Sequence, residues 1–150
     1  MARLDESDRG ESLIEILVAV LILGIAVTAI LGGLLTSVKL SDVHRKQATG
    51  GADARDYAEV LSRFVSGNNY VECADLSAYA PGVVGFTAPA GYAAAVTSVE
   101  YWNTTSRTFG TTCSSSGLER VTVQVASTDG RATERSVVVV RKPCGQGSTC

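Results

Sequence analysis

Two different spacings of apolar residues divide the chain. From Ile16 to Val38 runs a 23-residue stretch without a single charge, interrupted only by the hydroxyls of Thr28, Thr36 and Ser37. As a helix rising about 1.5 Å per residue it is roughly 35 Å long, enough to cross a hydrocarbon layer about 30 Å thick. A cleavable secretory signal has a shorter apolar core, about 7–15 residues, followed by a cleavage site of small residues. Further along, Tyr57, Val60, Leu61, Phe64 and Val65 recur at three- and four-residue intervals, with Asp56, Glu59 and Arg63 between them. That spacing predicts an amphipathic helix. Gly50-Gly51 predicts a kink or short break in it, and Ser66-Gly67-Asn68-Asn69 its end.

After the helix the period changes to two. Val121, Val123 and Val125 alternate with Thr122 and Gln124, which predicts a half-buried strand. Asp129-Gly130 is a hairpin signal, and Ser136 to Arg141 supplies the return strand. Val96 to Trp102, rich in β-branched and aromatic residues, predicts another strand. Between helix and strands, Tyr70 to Tyr92 contains Pro81, Pro89 and several Gly and Ala residues and reads as a long irregular connection. Three or four antiparallel strands that cover one helix make an α+β head.

Composition adds little to this picture until it is read by position. The 150 residues suit one compact domain with an appendage. The formal net charge of -2 gives no strongly basic surface for nucleic acid. Lys and Arg flank the apolar run on both sides, Arg3 and Arg9 before it and Lys39, Arg45 and Lys46 after it, so the positive-inside rule does not settle an orientation. The cysteines say more. Cys73, Cys113, Cys144 and Cys150 all follow the run, with no metal-like pair, a pattern that favours disulfides and an oxidising, extracytoplasmic head. Of three connectivities, Cys73–Cys113 with Cys144–Cys150 ties the connection to the loop before Val121 and closes a small loop at the tail. Cys73–Cys144 is its main rival, and Cys150 could also stay free.

Candidate chemistry concentrates at one point. Glu15 is a carboxylate at the mouth of the apolar run, and charges within membrane segments are usually paired or functional. Cleavage after Gly10 would create an α-amine on Glu11, one helical turn before Glu15 or beside the Glu15 of a neighbouring helix. Without such a partner Glu15 would simply reach the headgroups. The single histidine, His44, lies beside Arg45 and Lys46 and reads as a solvated helix residue. No phosphate loop, nucleophile elbow or metal-ligand spacing is present, so neither catalysis nor a cofactor is expected. Asn103-Thr104-Thr105 matches a glycosylation sequon, a pattern common by chance. Tyr101 and Trp102 suit either an exposed adhesive spot or the core, and Thr111 to Gly117 reads as a surface loop.

Gly10 followed by ESLIEILVAVLILG closely resembles the N-terminal signature of type IV pilins and type II secretion pseudopilins. In that family a prepilin peptidase cuts after the glycine on the cytoplasmic side and methylates the new N-terminus. The retained helix holds the subunit in the membrane and later enters a filament core. The resemblance covers about 25 to 30 residues. It implies cleavage between Gly10 and Glu11, N-methylation of Glu11, and an assembly role for Glu15, which would neutralise the amine of an adjacent subunit. One departure is Glu11, because the first mature residue is usually phenylalanine or another apolar residue, and its carboxylate could compete for the amine. Another is Gly32-Gly33, where many major pilins have a helix-breaking proline. The pair suits either a local bend or close helix packing.

The expectation is therefore a non-enzymatic, structural subunit, leaning to a minor pilin or pseudopilin. It would have a leader (1–10), a transmembrane and assembly helix (11–38), a helical continuation (39–66) and a disulfide-bonded α+β head (67–150). Expected partners are prepilin peptidase, other pilin or pseudopilin subunits, the inner-membrane assembly platform and membrane lipid. Direct nucleic-acid binding is not expected. The expected location is the cytoplasmic membrane, single-pass with the head outside, then the filament. The alternative is an uncleaved single-span protein with an exported binding domain.

Overall fold

The computed structural model describes residues 8–144, with side chains from Leu13 onward. One long helix, α1 (Asp8–Phe64), is followed by a wide final turn (Val65–Asn69), a short helix α2 (Pro81–Val84) and four strands. These are β1 (Tyr92–Asn103), β2 (Thr108–Gly110), β3 (Leu118–Ser127) and β4 (Thr133–Arg141). The chain separates into two compact units, residues 1–42 and 43–150.

In the first unit α1 is bare. The large apolar side chains from Leu13 to Leu40 are exposed, and the helix is long and apolar enough to cross a membrane. Two of its hydroxyls bond back to their own helix. Thr28 Oγ1 donates to the carbonyls of Gly24 and Ile25 at 3.1 and 2.9 Å, and Thr36 Oγ1 to that of Gly32 at 3.0 Å. A polar side chain satisfied in this way costs little in lipid.

In the second unit the same helix becomes a core element. Tyr57, Leu61 and Val65 are fully or almost fully buried and meet Val121, Val123, Val99 and Val140 from the sheet. Asp56, Glu59 and Arg63 stay exposed on the opposite face, as the stripe predicts. The Tyr57 ring stacks on Phe86 at 4.7 Å between centroids, and its hydroxyl donates to the Tyr79 carbonyl at 2.8 Å. The helix ends in the glycine–asparagine cluster, where Asn68 takes a left-handed conformation (φ 67°) and Asn69 Nδ2 donates to the Phe64 carbonyl.

The expected interruption at Gly50-Gly51 does not occur, and α1 is helical through both residues. The reason is packing. A Cβ on Gly50 would meet Glu134 Cγ at 3.4 Å and Tyr92 Cε1 at 3.6 Å. The glycine lets β4 and the start of β1 approach the helix, and the contact outweighs the roughly 1 kcal/mol of lost helix propensity.

The sheet is antiparallel, in the order β2-β1-β3-β4. Strict alternation along β3 sends Glu119, Val121, Val123, Val125 and Ser127 inward, all buried, while the residues between them are half-buried. Asp129-Gly130 makes the β3–β4 turn, with Gly130 at φ 72°, and Thr133 pairs with Ala126 across it. A bulge between Val96 and Ser98 shifts the register of β1 against β3. The fold is the expected α+β arrangement, with four strands. The short edge strand β2, which pairs Gly110 with Tyr101, adds to the three strands that the alternation predicts.

Candidate functional site

The residues of the signal lie on the first turns of α1. Gly10 and Glu11 are helical; their side chains lie outside the described residues. Glu15 is exposed one turn after position 11, the only charged side chain from Leu13 to Val38. Ile14, Ile16 and Leu17 around it are each more than 60 % exposed. A carboxylate in an uncovered apolar stretch has a strong electrostatic need for a cation once water is removed. Among the described residues, no group of His, Cys, Asp and Glu is arranged to hold a metal.

On the head, Cys73 and Cys113 form the expected disulfide, across 40 residues, with Cα atoms 5.3 Å apart. It ties the irregular connection to the loop before β3. Cys144 is disulfide-bonded as well; Cys150, its expected partner, lies outside the described residues.

The sequence reading missed a buried carboxylate beside that disulfide. Glu119 is 1 % exposed. Its Oε1 accepts from the Ala74 N–H at 3.3 Å and its Oε2 from the Tyr79 hydroxyl at 3.0 Å, and the backbone of Cys73 also faces it. The Tyr70 hydroxyl, likewise buried, points toward the same carboxylate without closing a hydrogen bond. Tyr101 completes the cluster by donating to the Ala74 carbonyl at 2.8 Å. Burial pushes the Glu119 carboxyl above its ordinary range, opposed by its hydrogen bonds. Burial, with the Glu119 charge nearby, pushes the hydroxyls of Tyr70 and Tyr79 up as well. Cys73 itself sits in the left-handed region at φ 57°, a conformation that costs a non-glycine residue about 1–2 kcal/mol. Such a turn directs successive N–H groups toward one anion. One signal was legible: position 119 is in phase with Val121, Val123 and Val125, so its side chain has to point inward.

Charged contacts tie other parts of the head together. Lys46 Nζ donates to Asp129 Oδ2 at 2.5 Å and holds that carboxyl well below its usual range. The pair lines a cleft of about 310 Å³ between the start of this helical unit and the β3–β4 turn, where the Tyr92 hydroxyl donates to the Lys46 carbonyl. Across β1 and β3, Arg120 grips Glu100 through two bonds of 2.8 and 2.9 Å, and its guanidinium lies 4.7 Å from the centre of the Phe109 ring. Trp102 meets the same ring edge-on at 5.1 Å. Tyr101 and Trp102 thus serve the packing of the head, and His44 is exposed.

Residues 7–31 match the prokaryotic N-terminal methylation motif, the prepilin-type signal of type IV pilins and pseudopilins. No curated protein and no solved structure matches the chain. The motif defines the class: a chain with a pilin-type signal, a membrane-capable helix, and an α+β head of pilin-like arrangement. Such a signal implies processing by prepilin peptidase and assembly with other pilin subunits, and it fits a membrane-anchored, pilus-assembled protein.

Proposed function

We propose that this protein is a structural subunit, a minor pilin or pseudopilin, of a type IV pilus or a type II secretion-like filament. The observation that carries the reading is the methylation motif at residues 7–31, which runs directly into a helix whose large apolar side chains are exposed. A surface of this kind needs lipid before assembly and other helices afterwards. In this reading the peptidase cuts between Gly10 and Glu11 on the cytoplasmic side and methylates Glu11, and the head lies outside. Glu15 then binds the N-terminal amine of a neighbouring subunit. In low-dielectric surroundings that pairing offsets the cost of burying either charge alone, so it also sets the axial register between helices.

The intact mass of the protein from membranes with and without prepilin peptidase tests this reading. The expected result is loss of residues 1–10 only when the peptidase is present, with one added methyl group on Glu11. A full-length chain in both samples would instead establish the uncleaved, single-span anchor.

A further inference from the structure

The sheet turns an apolar strip away from its own core. In an antiparallel sheet with one buried face, the outward positions are normally polar. Strand β4 departs from this. Val138 and Val140 pack inward, while Val137 and Val139 are 59 and 52 % exposed. Trp102 and Phe109 lie on the same outward face, where Arg120 reaches both Glu100 and the Phe109 ring. That ion pair is neutral as a whole, so the face takes its net charge from Arg135 and Arg141, exposed on either side of the two valines. Apolar surface rimmed by charge marks an interaction site, and this one fits a partner that is apolar and acidic.

The same chain carries such a surface. The connection from Tyr70 to Tyr92 contains Glu72 and Asp75 and no Lys or Arg. Its Tyr70, Ala74, Tyr79 and Val84 enter the core beside Tyr57, while Val71, Leu76 and Val83 are 45, 48 and 52 % exposed. Asp75 accepts from the N–H groups of Ser77 and Ala78 and stays exposed beside Leu76. Glu72 already faces Lys142 of its own copy at 3.6 Å, so Asp75 supplies the larger part of the available negative charge. The connection packs on the core side of the sheet and the β4 strip faces the other way, so one copy cannot close the two against each other.

We propose that the outward face of β4 in one copy docks on the connection of a second copy. Val137 and Val139 then meet Val71, Leu76 and Val83, and Arg135 and Arg141 meet the acidic surface around Asp75. Pairing of two β4 faces about a two-fold axis would instead oppose like cations. The contact is therefore heterologous: each copy offers one half at each side, and repetition gives an open row rather than a closed dimer. A filament needs this geometry, so the inference rests on the filament reading for its purpose. The contact itself involves the heads alone and can be measured without a filament.

The test is photo-cross-linking of the full-length protein in detergent, with a benzophenone amino acid in place of Val139. Equal parts of unlabelled and isotope-labelled chains mark the bonds that join two copies. The expected product links position 139 of one copy to residues 71–83 of another, and its yield grows with protein concentration. A second probe, in place of Leu76, should return the reciprocal bond to β4, and it decides the matter alone if the first variant fails to fold. Arg135→Glu together with Arg141→Glu should lower the yield by about tenfold, the scale of like charges opposed across an interface. Absence of bonds between copies at every concentration, or bonds that map from β4 to β4 or to another segment, would overturn the proposal. So would a yield that the charge reversal leaves unchanged. Cleavage by prepilin peptidase is read separately from the intact mass, so failure of the filament reading and failure of this contact are distinct results.

Discussion

Glu119 and Asp129 are carboxylates near the two ends of β3, and they link stability to pH with opposite signs. Glu119 has its folded pKa raised above 4.5, chiefly by burial. The folded head then holds a proton that the unfolded chain releases, so stability falls as pH rises from about 4.5 through the folded value. Asp129 is lowered below 3.8, chiefly by its hydrogen bond from Lys46. Its contribution is present above that value and is lost as pH falls below it. The groups that face Glu119 are the hydroxyls of Tyr70, Tyr79 and Tyr101, which do not titrate in this range, with Glu72 and Asp75 further out. Thermal unfolding of the head across pH 4 to 8 is expected to show this decline toward neutral pH, and Glu119→Gln to flatten it. A profile that rises steadily to pH 8 in the wild type would contradict the assignment.

At the scale of the element, α1 is one helix with two kinds of surface, and each kind can be read from its own residues. The run from Ile16 to Val38 has no polar stripe because it has no aqueous face. The stripe at Tyr57, Val60, Leu61, Phe64 and Val65 has a period near 3.6 because only one side meets the sheet. Leu61, fully buried in that stripe, is expected to cost about 2–5 kcal/mol when shortened to alanine. Denaturant unfolding followed by Trp102 fluorescence measures this directly, and membrane insertion should not change. Asp129-Gly130 and the alternating valines made the β3–β4 hairpin equally legible. Gly50-Gly51 misled because a glycine pair reads as weakness unless its neighbour is known; here the neighbours are Glu134 and Tyr92, distant in sequence. Strand β2 was not legible because three residues are too few to display a period.

The whole molecule joins an anchor that needs partners to a head that already has its core. The methylation signal at residues 7–31 was legible because it is local in sequence, and one motif brings glycine, carboxylate and apolar run together. The Glu119 cluster was not, because it gathers Tyr70, Ala74, Tyr79 and Tyr101 from three segments around one inward position of β3. On the proposed function, Glu15→Ala should leave insertion into the membrane intact and reduce incorporation into filaments by at least tenfold, the scale of a lost pairing with a buried charge. Immunoblots of sheared filaments against the membrane fraction make the comparison, and unchanged incorporation would remove Glu15 from assembly.

The placement of the head's grip on α1 has a mechanical consequence. Within the head unit the helix is held first by Lys46 on Asp129, then by the close approach at Gly50, and then by Tyr57, Leu61 and Val65 against the sheet. A pull along the helix axis loads these contacts side by side, in shear, and they have to give way together. The Cys73–Cys113 crosslink joins two segments outside α1 and so bears none of that load. Under tension the head would therefore yield by sliding of its helix, with the crosslinked sheet layer left as a unit that can dock the helix again.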